Sequence, residues 1–115
     1  LDVPALMGQR RVPKLYHEAF GADPAYWRSV SPQQQLGRDG VPMLLVCASE
    51  RGFPTSPCDE ARKLAARAVA LRVPMRVLPE PLNHGEINKD LGLASDYTGR
   101  VGAWIDQLTG VAGPR

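Results

Sequence analysis

This sequence lacks most of the features that would place it in a specialised class. No apolar run approaches the roughly 20 residues that a membrane span needs. Net charge is only +2, with Lys and Arg spread along the chain and no basic run interleaved with aromatics, so the footprint of a nucleic-acid surface is missing. Cysteine is scarce: the two residues, Cys47 and Cys58, do not make a disulfide framework. One falls in an expected strand and the other in the first turn of an expected helix, and both read as half-buried thiols. With His17 and His84 they lack the close ligand pairs of a zinc site, so no metal is expected. There is no internal repeat and no visible signal peptide. The first residue is Leu rather than Met, which fits a fragment or a processed product as well as a complete domain.

What remains suits one domain: 115 residues, 43% of them apolar, which is enough for a core. Residues 1–13 read as an irregular lead-in. Lys14 to Phe20 forms two helical turns ended by Gly21, and Asp23 caps a short helix from Pro24 that Ser31-Pro32 stops. Gln33 to Gly40 reads as a polar loop. Val41 to Ala48 is apolar throughout except for Pro42, the pattern of a strand buried on both faces. Ser56 then caps a helix with Pro57 at its first position and Asp59 at its third, a capping-box variant. Its apolar stripe is Cys58, Ala61, Leu64, Ala65, Ala68 and Leu71, and Asp59–Lys63 is an i,i+4 pair worth a few tenths of a kcal/mol. Val73 to Leu78 is a second strand, bounded by Pro74 and Pro79. Ser95 or Asp96 caps a last helix with the stripe Tyr97, Val101, Trp104, Ile105 and Leu108, stopped by Gly110. Strand, helix, strand in this order implies a parallel pair with a right-handed crossover.

The segment Leu82-Asn83-His84-Gly85-Glu86-Ile87-Asn88 carries the chemistry. It reads as a loop leaving the C-terminal end of a parallel strand, where ligands and catalytic groups gather in open α/β sheets. A histidine there can take the proton of a serine hydroxyl during attack and return it to the leaving group. Gly85 removes a side chain beside the ring, and Asn83 can hydrogen-bond its own loop. Cys47 as a thiolate nucleophile is disfavoured by its place inside an apolar strand. His17 reads as a solvated surface residue, and Tyr26 and Trp27 as packing residues before pocket lining.

Phe20-Gly21 with Asp23-Pro24, Tyr26-Trp27 and Ser31-Pro32, then Val41-Pro42-Met43-Leu44-Leu45-Val46, then the His84 segment, together resemble the C-terminal third of an α/β-hydrolase. The likeness runs from about Phe20 to about Leu108 and is greatest to the carboxylesterase and lipase-like branch that includes kynurenine-formamidase relatives. It implies an α/β fold in which this chain, residues 1–115, is the C-terminal strand-helix-strand-helix portion of a mostly parallel sheet. It also implies hydrolysis of a small-molecule carboxylic ester, or an amide such as a formamide, by a Ser–His–acid mechanism that needs no cofactor. His84 would be the general base and acid. No G-x-S-x-G occurs in the chain, so the serine is expected upstream of residue 1. Family members carry an Asp just past the strand that Val41 to Ala48 represents, whereas this chain reads Ala48-Ser49-Glu50-Arg51-Gly52-Phe53-Pro54. Glu50 stands nearest the expected place, and Asp59 is better explained as a helix-start residue. A rival of another class is a non-catalytic α/β module that binds a partner, or a second copy of itself, through an exposed edge of the first strand.

Overall fold

The computed structural model describes residues 1–52 and 55–110. The expected tail, Val111 to Arg115, and Phe53-Pro54 of the expected acid loop lie outside the described residues. The architecture is mixed α/β around one parallel pair of strands, β1 (Met43–Ala48) and β2 (Met75–Glu80). Their register runs from Met43 opposite Met75 to Ala48 opposite Glu80. The connection is α5 (Pro57–Leu71), which packs on both strands. Ahead of β1 lie four short helices, α1 (Val3–Met7), α2 (Lys14–Phe20), α3 (Pro24–Ser29) and α4 (Pro32–Gln35). After β2 come α6 (His84–Lys89) and α7 (Asp96–Thr109).

The caps explain most helix starts. Asp23 Oδ1 accepts from the Ala25 N–H at 3.0 Å, and Ser56 Oγ from the Asp59 N–H at 3.3 Å. Ser95 Oγ accepts from the Thr98 N–H at 3.2 Å, which settles the cap of α7 on Ser95. Gly21 and Gly110 end α2 and α7 at positive φ, 64° and 71°, where a side chain would be strained. The lead-in is irregular only after Met7: Asp2 caps α1, with its carboxylate accepting from the Ala5 N–H at 3.1 Å. Proline 32 ends α3 and also occupies the first turn of α4, because the N–H it lacks needs no partner there.

Three side-chain expectations are corrected. Cys47 and Cys58 are not free thiols but a disulfide, with Cα atoms 5.2 Å apart. The end of β1 and the first turn of α5 meet where the loop between them closes, which the distance of 11 residues along the chain did not reveal. The Asp59–Lys63 pair does not form. Asp59 instead holds Arg62 at 3.0 Å, and Lys63 spans to Glu60 and to Asp2. Pro79 falls within β2 rather than beyond it.

The core is small: Val3, Leu6, Met7, Cys47, Cys58, Leu64, Ala68, Val73 and Tyr97 are buried. Ser31, fully buried, accepts from the Val3 N–H at 2.9 Å and so ties α1 to the start of α4. Strand β1 is only half-buried from Met43 to Val46, less than its apolar run leads one to expect, since among the described residues it has one strand neighbour. Glu80, 2% exposed at the end of β2, is held by both arms of Arg100 from α7, at 2.7 and 2.8 Å. The Tyr97 hydroxyl donates to the Ile87 carbonyl at 2.9 Å, so α7 is fastened to both β2 and α6.

Two outcomes follow. The intact chain should resist alkylation at both cysteines until reduced. Cys58→Ser should then lower unfolding stability by about 2–3 kcal/mol, the value for a loop of this length, measured by urea denaturation. An alkylatable thiol in the unreduced native protein would contradict the pairing.

The second outcome is pH dependence at Asp2–Lys63. Burial alone would raise the Asp2 pKa, but hydrogen bonds from Ala5, Gln34 and Lys63 outweigh it and hold it below the ordinary 3.8. Burial alone would lower Lys63, but pairing with Asp2 and Glu60 outweighs it and holds it above 10.5. A depressed carboxylate stabilises the fold above its unfolded pKa, and the contribution is lost as pH falls through the folded value. For the raised lysine the contribution is present below 10.5 and lost as pH climbs. The α1 segment should therefore loosen below pH 3.8, seen as faster exchange of the Val3 amide. In Asp2→Asn that acid step should vanish.

Candidate functional site

His84 is not in a loop. It is the first residue of α6, and the backbone there is set by a reciprocal capping box. Asn83 Oδ1 accepts from the Glu86 N–H at 2.9 Å, and the Glu86 carboxylate accepts from the Asn83 N–H at 3.0 Å. The Asn83 bond to its own segment was legible from the sequence. The Asn-x-x-Glu spacing that makes the box, Asn83 and Glu86, is a local sequence signal as well. On the next turn the Asn88 amide donates to the His84 carbonyl at 2.8 Å. The residue is thus fixed by its backbone while its side chain stays exposed. Among the described residues no hydrogen bond engages the imidazole.

His84 lines a cavity of about 470 Å³. Its floor is β1 from Leu44 to Ala48, one wall is the first half of α5 at Pro57, Ala61 and Leu64, and Ile87 follows His84 along α6. The polar groups on the wall are Arg51, Thr55, Glu60 and Asn88. Arg51 and Glu60 were not singled out from the sequence. Glu60 lies one helical turn beyond the start of α5, and only the fold brings that turn over β1.

Glu50 is exposed and accepts from the Ser49 hydroxyl at 3.3 Å. It does not line the cavity, and no hydrogen bond joins it to His84. The other carboxylates near this edge are engaged: Asp59 with Arg62, Glu60 with Lys63, Glu80 with Arg100, and Glu86 in the capping box. Glu50 thus differs from them in having no cation within ion-pair distance among the described residues.

The remaining candidates fall away from this cavity. Cys47 lies on its floor but is committed to the disulfide, which removes it as a nucleophile. The Trp27 indole donates to the Phe20 carbonyl at 3.0 Å, locking α3 onto α2, and Tyr26 is 48% exposed; neither lines the cavity. His17 is exposed on α2. Among the described residues no group of three His, Cys, Asp or Glu side chains could hold a metal ion, and no helix is long and apolar enough to cross a membrane.

Chemically, the site offers one exposed imidazole on a hydrogen-bonded helix start, an apolar floor of aliphatic side chains, and Arg51 and Glu60 as charged groups on the rim. Among the described residues of its lining the hydroxyl is that of Thr55, ahead of α5, and no strand end presents a hydroxyl or free thiol. No protein-family profile matches this sequence, and no curated protein or solved structure matches it.

Proposed function

We propose that this chain supplies the histidine, and with Glu50 the acid, of a serine hydrolase that acts on carboxylic esters. The observation that carries the reading is the position of His84. It begins the helix that follows the C-terminal end of a parallel strand and borders a cavity floored by the neighbouring strand. The serine would come from polypeptide that precedes Leu1. As its oxygen attacks the ester carbonyl, the imidazole takes the hydroxyl proton. The imidazolium returns that proton to the departing alkoxide, leaving an acyl-serine, and water then attacks by the same route in reverse roles. Leu44, Val46 and Leu64 around the cavity suit an aliphatic acyl group, and a formamide is the amide alternative. Oxyanion donors would come from the serine-bearing polypeptide. To act as the acid, Glu50 would have to leave the Ser49 hydroxyl for the imidazole N–H.

The second reading, a module that captures a partner, is favoured by one observation. Among the described residues, strand β1 has a strand neighbour on one side only.

For the isolated 115-residue chain the expected outcome is hydrolysis of a short p-nitrophenyl ester at no more than an imidazole background, unchanged within error in His84→Ala. A high rate that falls on that substitution would mean that the site is complete here. In a form that includes the preceding polypeptide, His84→Ala should lower kcat by about 10⁴ or more. There, Glu50→Gln should cost up to about 10⁴ in kcat. Asp59→Asn should cost only about 0.3–1 kcal/mol of stability through the helix dipole. Side-by-side kcat and thermal midpoints check both. Full activity in Glu50→Gln with loss in Asp59→Asn would reverse the assignment of the acid.

A further inference from the structure

Several polar groups that line the cavity beside His84 are already engaged. Glu60 holds Lys63 at 3.4 Å, and Lys63 reaches on to Asp2 at 3.2 Å, so the carboxylate of the lining has its counter-charge. The Asn88 amide nitrogen donates to the His84 carbonyl at 2.8 Å. Two groups remain besides the imidazole. The Arg51 guanidinium and the Thr55 hydroxyl make no hydrogen bond or ion pair among the described residues. Glu50 directly precedes Arg51, yet its carboxylate takes the Ser49 hydroxyl at 3.3 Å and not the guanidinium.

An arginine without a partner is not by itself a site, and Arg67, exposed on α5, is another among the described residues. Arg51 differs in its place. It lies in the segment that leads from β1 into α5, while His84 begins α6, and both line the same space as Leu44, Val46 and Leu64. A guanidinium keeps its charge in proteins. The described lining therefore joins an aliphatic floor to a cation that lacks a counter-ion, while its anion is already matched. A ligand that fits both features has an aliphatic body and one anionic end.

We propose that the cavity selects esters whose acyl chain ends in a carboxylate, with Arg51 as the residue that recognises it. This rests on the hydrolase reading and names its substrate class. The scissile carbonyl lies at His84, the aliphatic chain over Leu44, Val46 and Leu64, and the far carboxylate at the guanidinium. The planar fork of N–H donors matches two carboxylate oxygens, and the Thr55 hydroxyl can add a further donor. In the net reaction water supplies a hydroxyl to the carbonyl carbon and a proton to the departing alkoxide. The products are a dicarboxylate and an alcohol. Arg51 is exposed, so water screens the pair and the preference is about threefold to tenfold rather than a hundredfold. The carboxylate is remote from the reacting carbonyl and binds alike before and in the transition state, so it lowers KM and leaves kcat.

Two measurements test this. In the first, the 115-residue chain is titrated with monomethyl adipate and with methyl hexanoate, which have acyl chains of equal length. With the serine outside this sequence, amide NMR reads binding alone. Monomethyl adipate should shift the Leu44 and Val46 amides with a Kd about threefold to tenfold below that of methyl hexanoate. Arg51→Gln should bring the ratio to about one, and Arg51→Lys, which keeps the charge without the fork, should restore part of it. Arg67→Gln, outside the lining, should leave the ratio as it was. In about 1 M salt, where the screening length falls to about 3 Å, the preference should shrink. Equal binding of the two esters, a preference that survives Arg51→Gln, or no binding of monomethyl adipate up to its solubility overturns the proposal. Should Arg51→Gln disturb the fold, the comparison of the two esters on the native chain still decides.

In the second, a form that includes the preceding polypeptide is given mono-p-nitrophenyl adipate and p-nitrophenyl hexanoate. The charged ester should show the lower KM by the same factor, with similar kcat. Equal KM values overturn the proposal. Turnover without preference thus sinks the carboxylate selection and leaves the hydrolase reading standing. No turnover of either ester, with the binding preference intact, sinks the hydrolase reading and supports Arg51 as the carboxylate-binding residue.

Discussion

Parallel pairing of β1 with β2 is the constraint on which the rest of this structure depends. A parallel pair cannot be joined by a tight turn, so the chain must cross over, and α5 is that crossover. The crossover brings the first turn of α5 beside the last residues of β1, which closes the Cys47–Cys58 disulfide and places Glu60, Ala61 and Leu64 over the strand. The same pairing sets the C-terminal ends of both strands at one edge, so that Glu50, just past β1, and His84, just past β2, leave the sheet in the same region. Without that register neither the cavity nor the candidate site would exist.

The last helix is attached differently. Helix α7 is held by point contacts, the two-armed Arg100–Glu80 pair and the Tyr97 hydroxyl bond, rather than by a wide apolar seam. Glu80 is buried, and removing Arg100 would leave a carboxylate without its counter-charge, which is costly even though the guanidinium itself is half-exposed. The apolar stripe of α7 is correspondingly only half covered at Val101, Trp104 and Ile105. Together with the open edge of β1, this gives a molecule whose apolar pattern exceeds what its own core absorbs.

Elements whose signals are local were legible in the sequence. Asp23 before Pro24, Ser56 before Pro57 and Ser95 before Asp96 each mark a cap whose bond is made within three residues. The two strands, expected over Val41 to Ala48 and Val73 to Leu78 and found at Met43–Ala48 and Met75–Glu80, were readable within two residues, as was their parallel relation. What was missed depends on the fold or on competition between neighbours. Lys63 had Asp59, Glu60 and Asp2 to choose from, and only the docking of α1 decides for the last two. The disulfide, the Glu80–Arg100 pair and the cavity position of Arg51 and Glu60 join residues far apart in sequence, which no periodicity reports. The helix at His84 was legible in Asn83 and Glu86 but was outweighed by the brevity of the segment and the glycine at position 85. The position of His84 past the second strand was legible in the order of elements. The candidate acid was placed only by proximity in sequence, and Glu50 does not line the cavity.

The central claim is that His84 serves a serine carried by polypeptide outside this sequence. The most direct measurement is a crystal structure of a form that includes the polypeptide preceding Leu1, after reaction with a fluorophosphonate. The account predicts a phosphonylated serine at a strand end whose Oγ lies within about 2.6–3.2 Å of an imidazole nitrogen of His84. A labelled serine served by a different histidine, or one held far from His84, would contradict it.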